Sequence, residues 1–479
     1  MSFHDVQQSQ RFNYKMIENL TDADRAATRR ALLDAMPKME ESGWLPSENY
    51  YADDADKTLR QDKDETPPIA EPTDLAEYIA ASSLFHMVDG WAYLRNSLIA
   101  IASGDRSVAY HLGYYAELRA AMSLLAASGI GIINGKNYVI KSDGQAAPAG
   151  SKNSSTHDFT WFALSWWADQ QSSADLLGEV FKIEGRSLNE ILNSIPAIAS
   201  PAQATRSIIE KLSLDLEHGR TDSLMRNRSS YEPSSVVRDS GATPREFSQF
   251  ITKLWDIIQP ISFGYGGLAI EILSSIIRDS IGEGSEIDVE DEDFLEEGLG
   301  LDNNAGFFGD QPSTGIDICL NNLFENESTR SRIRIARGHA VPESIFDTAS
   351  RVSAHPSKET QLEVVSRAAL LLTISTLSCN GLLSGDSGSR EIGIKWWDIY
   401  SANHGISENL DYSGSTLDVE EKADLLRDVW EEIQDSVNCI SEFTERDNEL
   451  VRIEFLRSLS AEIRNSTIFD VAAFWGMTA

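Results

Sequence analysis

An arginine beside an amide, with a ring residue a few positions on, is a set that can handle a phosphodiester. Arg226 and Asn227 stand together and Tyr231 follows, within Arg226-Asn227-Arg228-Ser229-Ser230-Tyr231. A guanidinium holds phosphate through charge-assisted, bidentate hydrogen bonds. Cleavage of RNA without a metal then needs a group that exchanges a proton near neutral pH, which His does with a pKa of about 6.5 and Tyr, at about 10, does not. Tyr231 is suited to binding a base or donating a hydrogen bond. Arg220, Arg228 and Arg238 add positive charge around the pair. The alternative is that Arg226 and Asn227 tie down a loop through backbone hydrogen bonds.

Other residues compete for a role. His111, Tyr115 and Arg119 fall at i, i+4 and i+8, where one helical face could gather them into a polar groove; a hydrogen-bonded core His explains His111 as well. His157 stands at an expected helix start. Arg334 and His339 lie in Arg330-Ser331-Arg332-Ile333-Arg334-Ile335-Ala336-Arg337-Gly338-His339, a run that could bind phosphate. Its Arg-Ile alternation resembles an exposed strand, and neutralising the acidic run at 283–297 is the simpler role. Gly264-Tyr265-Gly266-Gly267 lacks the Lys-Ser/Thr of a phosphate loop, so a turn or close helix packing accounts for it better. Asp386, Glu391 and Lys395 form a carboxylate and lysine set with no sheet to support it. Cys319, Cys379 and Cys439 have no Cys-x-x-Cys spacing and no close His, which argues against zinc and against a disulfide framework. No metal and no cofactor are expected.

The elements that must position these residues are mainly helical. Thr73 or Asp74 could cap a helix carrying Leu84, Val88, Trp91, Leu94 and Leu98; Gly104-Asp105 breaks it. The next helix, about 107–128, is apolar over so much of its circumference that it should be central. Two short apolar runs joined by Asn134-Gly135 read as a hairpin with a type I′ turn, which needs positive φ at both central residues. Residues 141–156 are expected to be a mobile loop. Ser155 could cap a helix, in a box with Asp158, whose Trp161, Leu164 and Trp167 form a stripe, and Pro244 should open another. The stretch 50–74, acidic and with Pro67, Pro68 and Pro72, suggests a linker or surface loop. The run Ala368 to Leu372 reads as part of a buried helix, not a membrane span.

Among the 479 residues the net charge is −34. Residues 1–240 carry 23 basic against 33 acidic side chains, and residues 241–479 carry 18 against 42. The acidity therefore sits in the second half, which repels nucleic acid at long range; phosphate contact must come from a local patch. The span 75–238 is close to neutral, with 14 basic and 16 acidic residues. Three divisions are expected: 1–72, N-terminal helices and acidic linker; 73–240, a helical domain; 241–479, an acidic helical domain. The polar N-terminus lacks the apolar stretch of a signal peptide, so a cytoplasmic location is expected.

Gly104-Asp105, the helix with Ala109-Tyr110-His111-Leu112-Gly113-Tyr114-Tyr115-Ala116, the start Thr156-His157-Asp158 and the pair Arg226-Asn227 together resemble the HEPN superfamily, over about residues 75–235. The resemblance implies a multi-helical HEPN-like bundle with a small β-hairpin, followed by a second acidic helical region. Catalytic members carry an Arg, then four to six residues, then a His. Here Arg226 and Asn227 match and Tyr231 stands at the His position. The resemblance implies a component of a bacterial toxin, stress or phage-defence system that engages RNA or a nucleotide, cutting RNA if Tyr231 or a nearby His supplies the acid/base. It also implies a homodimer. The other reading is a non-catalytic acidic scaffold, or nucleic-acid mimic, bound to a protein partner in a multi-protein complex.

Overall fold

The computed structural model describes residues 19–39, 43–61, 69–150, 155–195, 222–224, 226–227, 231, 242–259, 266–281, 323–326, 329–331, 333, 345–350, 361–384, 387–403, 419–446 and 451–467. These residues are mainly helical, with small antiparallel sheets. Arg25–Ala35 (α1) and Ala55–Gln61 (α2) lead to the long helix Pro72–Ser103 (α3), which turns at Gly104 into Arg106–Ala127 (α4). Gly104 takes the left-handed conformation, φ 79°, that ends a helix without Cβ strain. Then come β1 (Ile130–Ile133), β2 (Lys136–Ile140), β3 (Ala146–Pro148), α5 (Thr156–Ala168) and α6 (Gln171–Val180). The later part holds α7 (Pro244–Ile258), α8 (Gly266–Ile281), α9 (Gln361–Leu383), α10 (Ser387–Asn403) and α11 (Val419–Arg446).

The centre is a sandwich of α3, α4 and α9. Their contact faces carry small residues, so the backbones come close: a Cβ on Gly90 of α3 would lie 2.5 Å from Leu372 of α9. Polar groups trapped at this junction find partners. Trp91 Nε1–H donates to Thr376 Oγ1 at 2.9 Å, and Ser123 Oγ–H donates to the Ser83 carbonyl at 2.8 Å. By length and hydropathy α9 would pass for a membrane span, yet 89% of its most apolar window is buried inside the fold. Leu20, Leu98, Leu254 and Leu371 belong to one core, so the described parts of the three expected divisions share apolar packing.

Local chemistry explains several element boundaries. Asn134 and Gly135 both have positive φ, 44° and 79°, and join β1 to β2 with Ile130 opposite Val139. Thr243 and Glu246 form a reciprocal capping box at the start of α7, with Pro244 in the first turn. Three expectations are corrected. Helix α3 begins at Pro72, because a proline in the first turn gives up an N–H that had no helical partner. The stretch 50–74 is not a bare linker: Ala55–Gln61 is helical, Tyr51 is buried, and the Tyr50 N–H donates to Asp74 at 2.9 Å. The loop expected at 141–156 includes β3, whose Ala146 pairs with Ile140 and uses the open edge of β2.

Candidate functional site

Helix α4 is buried along most of its surface, and one stretch of it, His111, Tyr114 and Tyr115, meets the start of α5. Ser155 caps α5: its Oγ accepts the Asp158 N–H at 3.1 Å, while its own hydroxyl donates to the Asp158 carboxylate at 2.8 Å. This cap fixes the first turn, and His157 is in it. Tyr114 Oη lies 2.8 Å from His157 Nδ1, with the rings nearly parallel at 5.7 Å between centroids. Trp161 Nε1–H donates to the same phenol at 3.3 Å. Tyr115 stacks on Tyr93 of α3 at 5.7 Å, and the His111 ring sits 5.0 Å from Tyr115.

Arg226 completes the cluster. Its guanidinium carbon lies 5.3 Å from the Tyr114 ring centre and 5.6 Å from that of Tyr115, cation–π distances to both. Residues 222–224 and 226–227 are helical, and Asp222 stands one turn before Arg226. Asp222 is buried and receives two hydrogen bonds from Arg367 of α9, one of them from Nε at 2.8 Å. Glu117 of α4 lies 3.9 Å from Arg367 Nε. The neighbouring Ser223 hydrogen-bonds the Tyr114 phenol.

The electrostatics follow from burial and from Arg226. The His157 imidazole is held below its usual pKa of about 6.5 by burial and then by Arg226, against a smaller upward pull from Asp158. Burial and then Arg226 lower His111 in the same way. Burial raises the Tyr114 phenol, while hydrogen bonds from Ser223 and Trp161 oppose the rise. At neutral pH both imidazoles are therefore mostly uncharged and able to accept protons beside a fixed cation.

The structure gathers four of the candidate residues, Arg226, His111, Tyr115 and His157, and leaves others aside. Asn227 is exposed, and Tyr231 is 76% exposed, away from the packed rings. Arg220 and Arg228 lie outside the described residues. Arg119 does not complete a groove with His111 and Tyr115: it donates to His86 Nδ1 at 2.8 Å and approaches Asp89 at 3.6 Å. Ile333, expected on an exposed strand, is helical and fully buried, and Arg330 just before it is helical too and donates to the Phe324 carbonyl. Arg334 and His339 lie outside the described residues. Glu391 and Lys395 form an exposed i, i+4 pair at 3.4 Å. Among the described residues no group of three or more His, Cys, Asp or Glu could hold a metal ion. Sequence reasoning missed Tyr114, Trp161, Asp222 and Arg367 as parts of one site.

His86 gives a separate, testable consequence. An arginine can only donate, so Nδ1 accepts and the half-buried ring is neutral; loss of solvent around it, then Arg119, lowers its pKa to about 3. The unfolded chain takes up this proton near pH 6.5, so the stabilisation is full above that pH. It is lost at about 1.4 kcal/mol per pH unit as the pH falls toward the folded value. Urea unfolding at about pH 7 and pH 5.5 should show His86→Leu losing less stability on acidification than the wild type.

Comparison of the chain with known protein families, with curated proteins and with solved structures finds no match.

Proposed function

We propose that the chain acts on RNA through the Arg226 cluster, as a HEPN-like component of a bacterial toxin, stress or phage-defence system. The supporting observation is the Arg226 guanidinium laid across Tyr114 and Tyr115 beside two imidazoles of lowered pKa. In the proposed reaction a 2′-oxygen attacks phosphorus and the bond to the 5′-oxygen breaks. One imidazole takes the 2′-hydroxyl proton and the other gives a proton to the leaving oxygen, while Arg226 offsets the charge on the non-bridging oxygens. Tyr114 holds His157 by Nδ1, which leaves Nε2 as the nitrogen for proton transfer. Tyr93 stacks on Tyr115 and so steadies the ring beneath Arg226.

Incubating labelled single-stranded RNA with the purified chain and with Arg226→Ala tests this directly. The wild type should fragment the RNA; Arg226→Ala should leave it intact and bind it more weakly, with a shallower salt dependence. Loss of cleavage in Tyr231→Phe would assign the proton transfer to that phenol and overturn the imidazole assignment. The concentration of acidic residues in 241–479 favours the scaffold reading if wild type neither binds nor cuts RNA.

A further inference from the structure

We infer that Arg367, carried on α9 and far from Arg226 in sequence, is the positioning residue for Arg226 and acts through Asp222. The geometry is a short lever. Asp222 and Arg226 are four positions apart and each is helical, the spacing at which two residues share a helical face. Arg367 and Asp222 are both buried, and two parallel hydrogen bonds join them. A planar fork on a carboxylate fixes rotation as well as distance, which a single donor cannot do. Arg367 is held in turn by its bond to the Ala349 carbonyl at 3.1 Å and by Glu117 nearby. The turn bearing Arg226 is thus keyed to the α4–α9 core, and Ser223 adds a second anchor on Tyr114.

A buried ion pair contributes little net stability against apolar residues of similar volume, and its best-attested use is to fix register. Register matters here, because Arg226 must lie over two specific rings. For RNA cleavage this inference rests on the proposed function; for the placement of Arg226 it does not.

The test is NMR titration of the His157 and His111 ring protons in wild type, Arg226→Met, Arg367→Lys and Asp222→Asn. Arg226→Met sets the full upward shift expected when the cation is removed. Arg367→Lys keeps the buried charge and loses the fork, so it should move both midpoints upward toward the Arg226→Met values. Asp222→Asn is the second variant. By direct Coulomb action, losing a carboxylate lowers a nearby imidazole pKa, so a rise there is opposite to the direct effect; because burial also depresses both rings, the rise counts as displacement of Arg226 only if adding Asp222→Asn to Arg226→Met produces no further rise. Unmoved midpoints in both keyed variants, with the fold intact by circular dichroism, would overturn the inference, as would an Arg226→Met variant that shifts neither ring. With cleavage as the second readout, kcat should fall by about 10²-fold in Arg367→Lys with a smaller change in KM. Shifted midpoints with no cleavage by wild type would leave the positioning role standing and remove the ribonuclease reading.

Discussion

Arg367→Ala is expected to destabilise the folded protein by about 3–5 kcal/mol, because it strands the buried Asp222 carboxylate and strips Glu117 of a nearby cation. Asp222 and Glu117 are only 1% and 3% exposed, so water cannot replace the guanidinium without opening the core. Removing the side chain also leaves a void between α9 and the segment at 222–227. Arg367→Lys should recover part of the loss, since it restores the charge and one donor. Denaturant unfolding followed by circular dichroism gives both numbers. A loss below about 1 kcal/mol for the alanine variant would mean that the ion pair is solvated, contrary to its burial.

The largest effect on activity should follow replacement of His157. His157→Ala is expected to lower kcat for RNA cleavage by about 10²–10⁴-fold while leaving RNA binding, carried by Arg226, nearly intact. The same pair of imidazoles sets the pH dependence. Both are depressed below about 6.5, so the one acting as an acid loses its proton as the pH rises through its lowered value. The profile of kcat/KM reports the free protein, so its maximum should lie below pH 6.5 with a falling limb toward neutrality. Arg226→Lys keeps the charge and should retain that acidic optimum. A maximum well above pH 7 would exclude the two imidazoles as the acid and base.

Local signals in the sequence were sufficient wherever one short stretch decides the outcome. Asn134-Gly135 specifies its turn because both residues tolerate positive φ, and Pro244 marks a helix start because a first-turn N–H has no helical partner to lose. The central place of α4 followed from apolar residues over much of its circumference. The site was only partly legible. Arg226, His111, Tyr115 and His157 were candidates by type and spacing, but their convergence depends on how α4 meets α5. Asp222 gave no sign of its partner, since 145 positions separate it from Arg367. An arginine directly before the apolar run of α9 was the available signal: a buried guanidinium needs a buried carboxylate. The acidic character of 50–74 pointed to solvent, yet Tyr51 is buried there, because one aromatic ring outweighs several charges that stay on the surface.

The packing of α9 against α4 has a consequence for how the chain emerges from the ribosome. Helices α3 and α4 are made early, and roughly 230 residues must follow Ala127 before α9 begins at Gln361. At about 5–20 residues per second that interval lasts roughly 10–50 seconds, during which the faces of Gly90 and Gly113 that receive α9 have no permanent cover. The nascent chain must be shielded through that interval, and a fragment that stops before residue 361 should aggregate rather than form a working half. Arg367 arrives on the same helix, so Arg226 acquires its anchor only after most of the protein has been synthesised.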